Sequence, residues 1–228
     1  MRIPTTIIVF LFSWTFYGQS SSFFHNSDTL NKKRYRGVLI TESVAAIGSI
    51  VVLNEVWYKN YSQSRLHTFD DSQEWLQLDK FGHATTAYYM GLSGIELMKW
   101  SGVKGAKRSL IGGSLGLVYL TGVEFLDGKS AQWGFSYSDV LANTLGTALV
   151  IGQDLGWQEQ RLRLKISAHL TEYAQYRPNL LGSSFSERLL KDYNGQTIWL
   201  SGNIGSFLPT SSKFPKWLNI AVGIGGEE

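Results

Sequence analysis

Residues 79–100 read DKFGHATTAYYMGLSGIELMKW, and their reading decides the fold. The run carries no proline, and glycines recur at 82, 91 and 94. Such a segment makes a helix that neighbouring backbones can approach closely. Asp79 and His83 stand at its head, four residues apart and so on one helical face. Two other apolar stretches repeat the arrangement of a polar pair at one end. Glu124 and Asp127 close the stretch 106–126, and Asp139 and Asn143 open the stretch 139–157.

Working outward, residues 37–58, GVLITESVAAIGSIVVLNEVWY, give a first apolar helix. The third helix, over 107–127, ends at Asp127-Gly128, a natural stop. Ser136 or Ser138 can cap the fourth, with Asp139 in its first turn. Each helix is about 20 residues, roughly 30 Å, which matches a bilayer, although three of the four are more polar than a typical single span. The expected fold class is mainly α: a small-residue-rich four-helix bundle over 37–157, of transmembrane length. Residues 158–176 read as a following amphipathic helix that ends at Arg177-Pro178-Asn179. Residues 177–228 read as an extended, β-like C-terminal tail with a turn at Tyr193-Asn194-Gly195-Gln196.

The N-terminal 1–19, MRIPTTIIVFLFSWTFYGQ, has the outline of a secretory signal, and 20–36 reads as a flexible leader. Charged residues make up 17% of the chain, low beside the roughly 25% of soluble proteins. A mean hydropathy of -0.08 nevertheless excludes a chain that is membrane-embedded throughout. With 0 cysteines, disulfides, thiol nucleophiles and a lipid-modified cysteine are all excluded. The net charge of +3 is mild. Its densest cluster, Lys32, Lys33, Arg34 and Arg36, abuts an apolar run, which suits a membrane surface better than nucleic acid. The leader, the 99–108 connection and the segment after 157 are basic, whereas 59–80 and 127–138 are charge-balanced. The positive-inside tendency would put the basic side in the cytoplasm, while a cleaved signal delivers residue 20 outside. A helical bundle lying in or against an envelope membrane reconciles the two.

The six polar residues, Asp79, His83, Glu124, Asp127, Asp139 and Asn143, are expected to meet, because such groups are expensive to bury alone. Capping explains Asp79 and Asp139 without any ligand. Glu124 and Asp127 oppose the dipole at a helix C-terminus and need a partner such as Lys80, His83 or a cation. Oxygen-rich ligation suits Ca²⁺, Mg²⁺ or Mn²⁺, and His83 admits Zn²⁺. The same groups could supply a general acid and base. No HExxH or Walker pattern is present.

These residues carry a resemblance. Asp79-Lys80-x-x-His83, Glu124-x-x-Asp127-Gly128 and Ser138-Asp139-x-x-x-Asn143-x-x-Gly146 resemble the YfiM-like predicted periplasmic lipoprotein family of unknown function (DUF2279). A looser similarity is to VanZ-like membrane proteins. The resemblance implies an exported, periplasmic or membrane-associated protein of the cell envelope and no particular chemistry. Two functions stay open. One is a non-enzymatic structural or assembly component with membrane or envelope-protein partners. The other is a metal-dependent or acid/base enzyme acting on a membrane lipid or cell-wall precursor.

Overall fold

The computed structural model describes residues 23–72 and 75–226; the expected signal segment, 1–19, lies outside the described residues. The chain is mostly helical, with one small three-stranded sheet. Helix α1 spans Lys32–Val56, α2 Leu78–Trp100, α3 Gly105–Gly113, α4 Leu115–Asp127 and α5 Tyr137–Trp157. Asn31 caps α1, accepting from the backbone N–H groups of Lys33 and Arg34 at 3.1 Å. The residues before it are tied down: Ser27 N–H donates to Trp100 O and Asn31 N–H to Ser101 O.

Helix α2 is the centre of the molecule and packs on α3, α4 and α5. Tyr88, Ile95 and Val150 form its main core cluster, flanked by Leu92, Leu149, Ile151 and Leu164. The glycines set the spacing. A Cβ on Gly91 would stand 2.6 Å from Gly113 O, and one on Gly94 would overlap the Gly112 backbone. Gly146 presses on Ala84 in the same way, which draws α5 onto α2. The expected single helix over 107–127 is divided at Ser114 into α3 and α4.

Helix α1 is the exception to this packing. Of its residues only Val38 is buried, against Met98 and Val103. Ile40, Val44, Ile47 and Val51 form an exposed apolar stripe, Ile47 being 65% accessible. By length and composition, Lys32–Asn60 and Gly105–Asp127 could each cross a membrane.

The expected amphipathic helix over 158–176 is not formed. Leu162–Ala168 is strand β1, followed by the short helix α6, Tyr173–Tyr176. Leu, Arg, Leu, Lys and Ile alternate at period two, which sorts apolar from basic side chains on a strand and mixes them on a helix. Helices α7 (Pro178–Leu181) and α8 (Phe185–Lys191) then lead to β2, Gln196–Asn203, and β3, Asn219–Gly225. The sheet order is β1-β2-β3, antiparallel throughout, with Leu164 opposite Leu200 and Leu200 opposite Val222. Strand character in the tail is therefore present, whereas 177–195 is largely helical.

The sheet is fixed to the helices by side chains that act on its backbone. Tyr89 OH donates to Leu164 O at 2.6 Å. Gln153, buried in α5, donates to Leu162 O at 3.0 Å and accepts from Leu162 N–H at 2.7 Å. Its amide thus imitates a neighbouring strand and closes the free edge of β1.

Candidate functional site

The six polar residues picked from the sequence stand at one end of the helices, in three separate turns. Asp79 and His83 occupy the start of α2, Glu124 and Asp127 the last turn of α4, and Asp139 and Asn143 the start of α5. Ser136 caps α5, its hydroxyl accepting from Asp139 N–H at 3.1 Å. All but Asn143 line one cavity of about 320 Å³, which Trp57, Phe69, Trp133 and Tyr193 complete.

His83 joins two of the turns. Its Nδ1 lies 3.1 Å from Asn143 Oδ1 and donates to it in the Nδ1–H tautomer. In that tautomer Nε2 keeps its lone pair, 3.9 Å from Asp139 Oδ1. Asn143 orients the ring. Asp79, His83 and Asp139 each offer one atom within 4.8 Å of the others.

Lys80 is the centre of charge. Its Nζ lies 2.6 Å from Asp71 Oδ2, 3.0 Å from Asp79 Oδ2 and 2.7 Å from Asp139 Oδ1. It does not serve Glu124 and Asp127, as their position at a helix end suggested. Burial works against its charge, but the carboxylates outweigh it and raise its pKa. Asp71 is held down to about 2: burial opposes its charge, and Lys80, Ser136 and Ser138 overcome that by donating to it. Tyr193 OH donates to Asp79 Oδ1 at 3.0 Å, across 114 residues of chain.

Glu124 is served least. It is 1% accessible, accepts only the Ser136 N–H at 3.2 Å through Oε2, and its Oε1 has no hydrogen-bond partner. The nearest cationic candidate is His83 Nδ1 at 3.8 Å. Burial, with the Asp139 carboxylate beside it, pushes Glu124 up to about 8. Burial likewise pushes Asp127 up to about 6, although Tyr58 OH donates to it at 2.7 Å. Asp139 is also raised by burial, against the pull of His83 and Lys80. Three carboxylates thus share the Lys80 ammonium, and Glu124 and Asp127 stand in the same cavity outside its reach. The arrangement can bind a further cation, or keep protons on acids near neutral pH.

Sequence reading missed Asp71, Tyr58 and Tyr193. Asp71 lies in a polar connection with no periodicity to mark it, and the two tyrosines are indistinguishable by pattern from packing aromatics.

Residues 68–152 match the model of a family described as predicted periplasmic lipoprotein (DUF2279). The matched span includes Asp71, Lys80 and all six residues above, and leaves out α1 and the sheet. Over these residues the chain is similar to that family, whose description agrees with an exported, envelope-associated location. The 228 residues offer no cysteine for lipid attachment. No curated protein and no solved structure matches the chain.

Proposed function

We propose that this is a cell-envelope protein seated against a membrane, a structural or assembly component whose working part is a divalent-cation centre in the acidic cleft. Asp79, His83 Nε2 and Asp139 would be its ligands, with Glu124 Oε1 facing the same space. The carrying observation is Glu124: a carboxylate oxygen shut away from water, without a donor, in a cavity walled by four more carboxylates. A burial of this kind is costly unless something positive shares the space. Oxygen ligands with one imidazole suit Mn²⁺, Ca²⁺, Mg²⁺ or Zn²⁺. A cation there would cross-link the starts of α2 and α5 beside the end of α4.

The helices of 37–157 act in this reading as a four-helix bundle, and lipid covers the apolar stripe of α1. Aromatic residues Trp57, Tyr61 and Trp133 cluster at the acidic end, and Lys32, Lys33 and Arg36 stand at the other. That distribution suits the two borders of an apolar layer.

One observation favours a second reading, a metal-dependent enzyme acting on a membrane lipid or cell-wall precursor. The cavity, at about 320 Å³, exceeds what an ion needs, and Glu124, pushed up to about 8, holds a proton at neutral pH.

Metal content of the detergent-extracted full chain tests the centre. About one equivalent of divalent metal is expected, lost in His83→Ala and in Asp139→Asn with the helical signal intact. Absence of metal from the wild type after dialysis against each ion would overturn it. Hydrolysis of a phosphate ester by the loaded protein, abolished in Glu124→Gln with metal retained, would decide for the enzyme.

A further inference from the structure

A second cavity, of about 640 Å³, lies at the other end of the sheet from Tyr193, between the outer face of β1–β2 and the 204–218 connection. Its character is opposite to that of the acidic cleft. Arg163 and Lys165 alternate along β1 and so share a face, Arg161 immediately precedes the strand, and Lys216 faces them from the connection.

Arg161 is already engaged. It donates to Glu159 at 2.7 Å, and its guanidinium lies over the Trp157 and Phe207 rings at 4.8 and 5.4 Å. Glu159 is the only carboxylate in the cavity wall among the described residues, and it is taken. Arg163, Lys165 and Lys216 have no acidic partner there.

The groove is also built, not an accident of loose surface. Asn203 donates to Lys216 O at 2.8 Å and accepts from Ser206 N–H at 3.0 Å, which fixes the connection over the strand. Ser201, opposite Arg163 in the ladder, lies on the floor at 2% accessibility. Thr210 and Ser212 add hydroxyls to the wall.

We propose that this groove binds a phosphate-bearing molecule, with Arg163, Lys165 and Lys216 around the phosphate. Three convergent cations match a dianion better than a single carboxylate, and a guanidinium can engage two phosphate oxygens at once. The volume exceeds a bare phosphate and leaves room for the group that carries it. That group is either a soluble ester or a lipid headgroup. The site is separate from the acidic cleft and does not depend on a cation there.

Titration of the full chain with inorganic phosphate, and co-sedimentation with phosphatidylcholine vesicles with and without phosphatidic acid, test it. Saturable phosphate binding is expected, weakened about tenfold or more in the double variant Arg163→Ala/Lys165→Ala. Both side chains are exposed, so the circular dichroism should not change. Binding enhanced by phosphatidic acid, and lost in the double variant, assigns the phosphate to a headgroup. Phosphate binding without that enhancement assigns it to a soluble ester. Response to neither probe overturns the site, as does an equal loss in Lys59→Ala, whose cation lies outside the groove.

Discussion

At Lys80 three carboxylates converge on one ammonium, and Glu124 faces the same cavity with Oε1 lacking a donor. These two residues set opposite expectations. Truncating Lys80 leaves Asp71, Asp79 and Asp139 facing one another, and Lys80→Ala should cost about 3–5 kcal/mol, as removal of one partner from a buried charge network does. Thermal denaturation in detergent measures it. Glu124 gives a dependence on pH. Unfolded, it titrates at 4.5, and folded at about 8. Between those values the folded state keeps a proton that the unfolded state has released. Stability of the cation-free protein should therefore fall as pH rises from about 5 to 8, by at most about 1.4 kcal/mol per pH unit. Asp127 adds the same sign at lower pH, between 3.8 and about 6. Asp71 acts in reverse, its contribution being lost only as pH falls from 3.8 to about 2. Glu124→Gln should flatten the slope above pH 6, and an unchanged slope would show that another group carries it.

Among the elements, the contact of α2 with α3 and α5 depends on missing side chains. Gly94→Ala would push a methyl group into the Gly112 backbone, and a loss of about 1–3 kcal/mol is expected from overpacking of this kind. Gly82 is the control, since a methyl group there meets nothing within 4 Å. Gly82→Ala should be neutral or stabilise by up to about 1 kcal/mol through helix propensity. Equal effects at both positions would contradict the close crossing. The same elements show how far the sequence could be read. The four apolar segments, the Ser136 cap and the stop after Asp127 were legible, because glycine spacing, capping chemistry and helical period are local signals. The 162–168 strand was not. Its period-two alternation of Leu162, Leu164 and Ile166 with Arg163 and Lys165 is visible, but basic residues interleaved with leucines after a helix also fit an amphipathic helix. What settles it is pairing with 196–203, more than 30 positions away in the register of Leu164 with Leu200. The break at Ser114 follows Gly112 and Gly113, where low helix propensity and the close approach to Gly94 and Gly91 coincide.

For the whole molecule, the unburied apolar stripe of α1 and the acidic cleft are the features that a folded chain of this size would not keep without partners. Ile47→Glu with Val51→Glu replaces two residues of the stripe that touch no buried core. Vesicle flotation should show the double variant released from phosphatidylcholine membranes with its helix content unchanged. Continued flotation would mean that α1 is not the seat. The site was legible from the sequence to the extent that its ligands sit on helices. Asp79 with His83, Glu124 with Asp127, and Asp139 with Asn143 could be paired by spacing. Asp71 and Tyr193 reach it only through tertiary structure, and the orientation of His83 by Asn143 crosses 60 residues.

The central claim is that His83 offers Nε2 to a cation shared with Asp79 and Asp139. The ¹⁵N resonance of that nitrogen, followed while Zn²⁺ is added to the full chain, reports on it directly. A change that saturates near one equivalent, and is absent in Asp79→Asn/Asp139→Asn, is the expected result. A resonance unmoved by the metal in the wild type would contradict the shared centre.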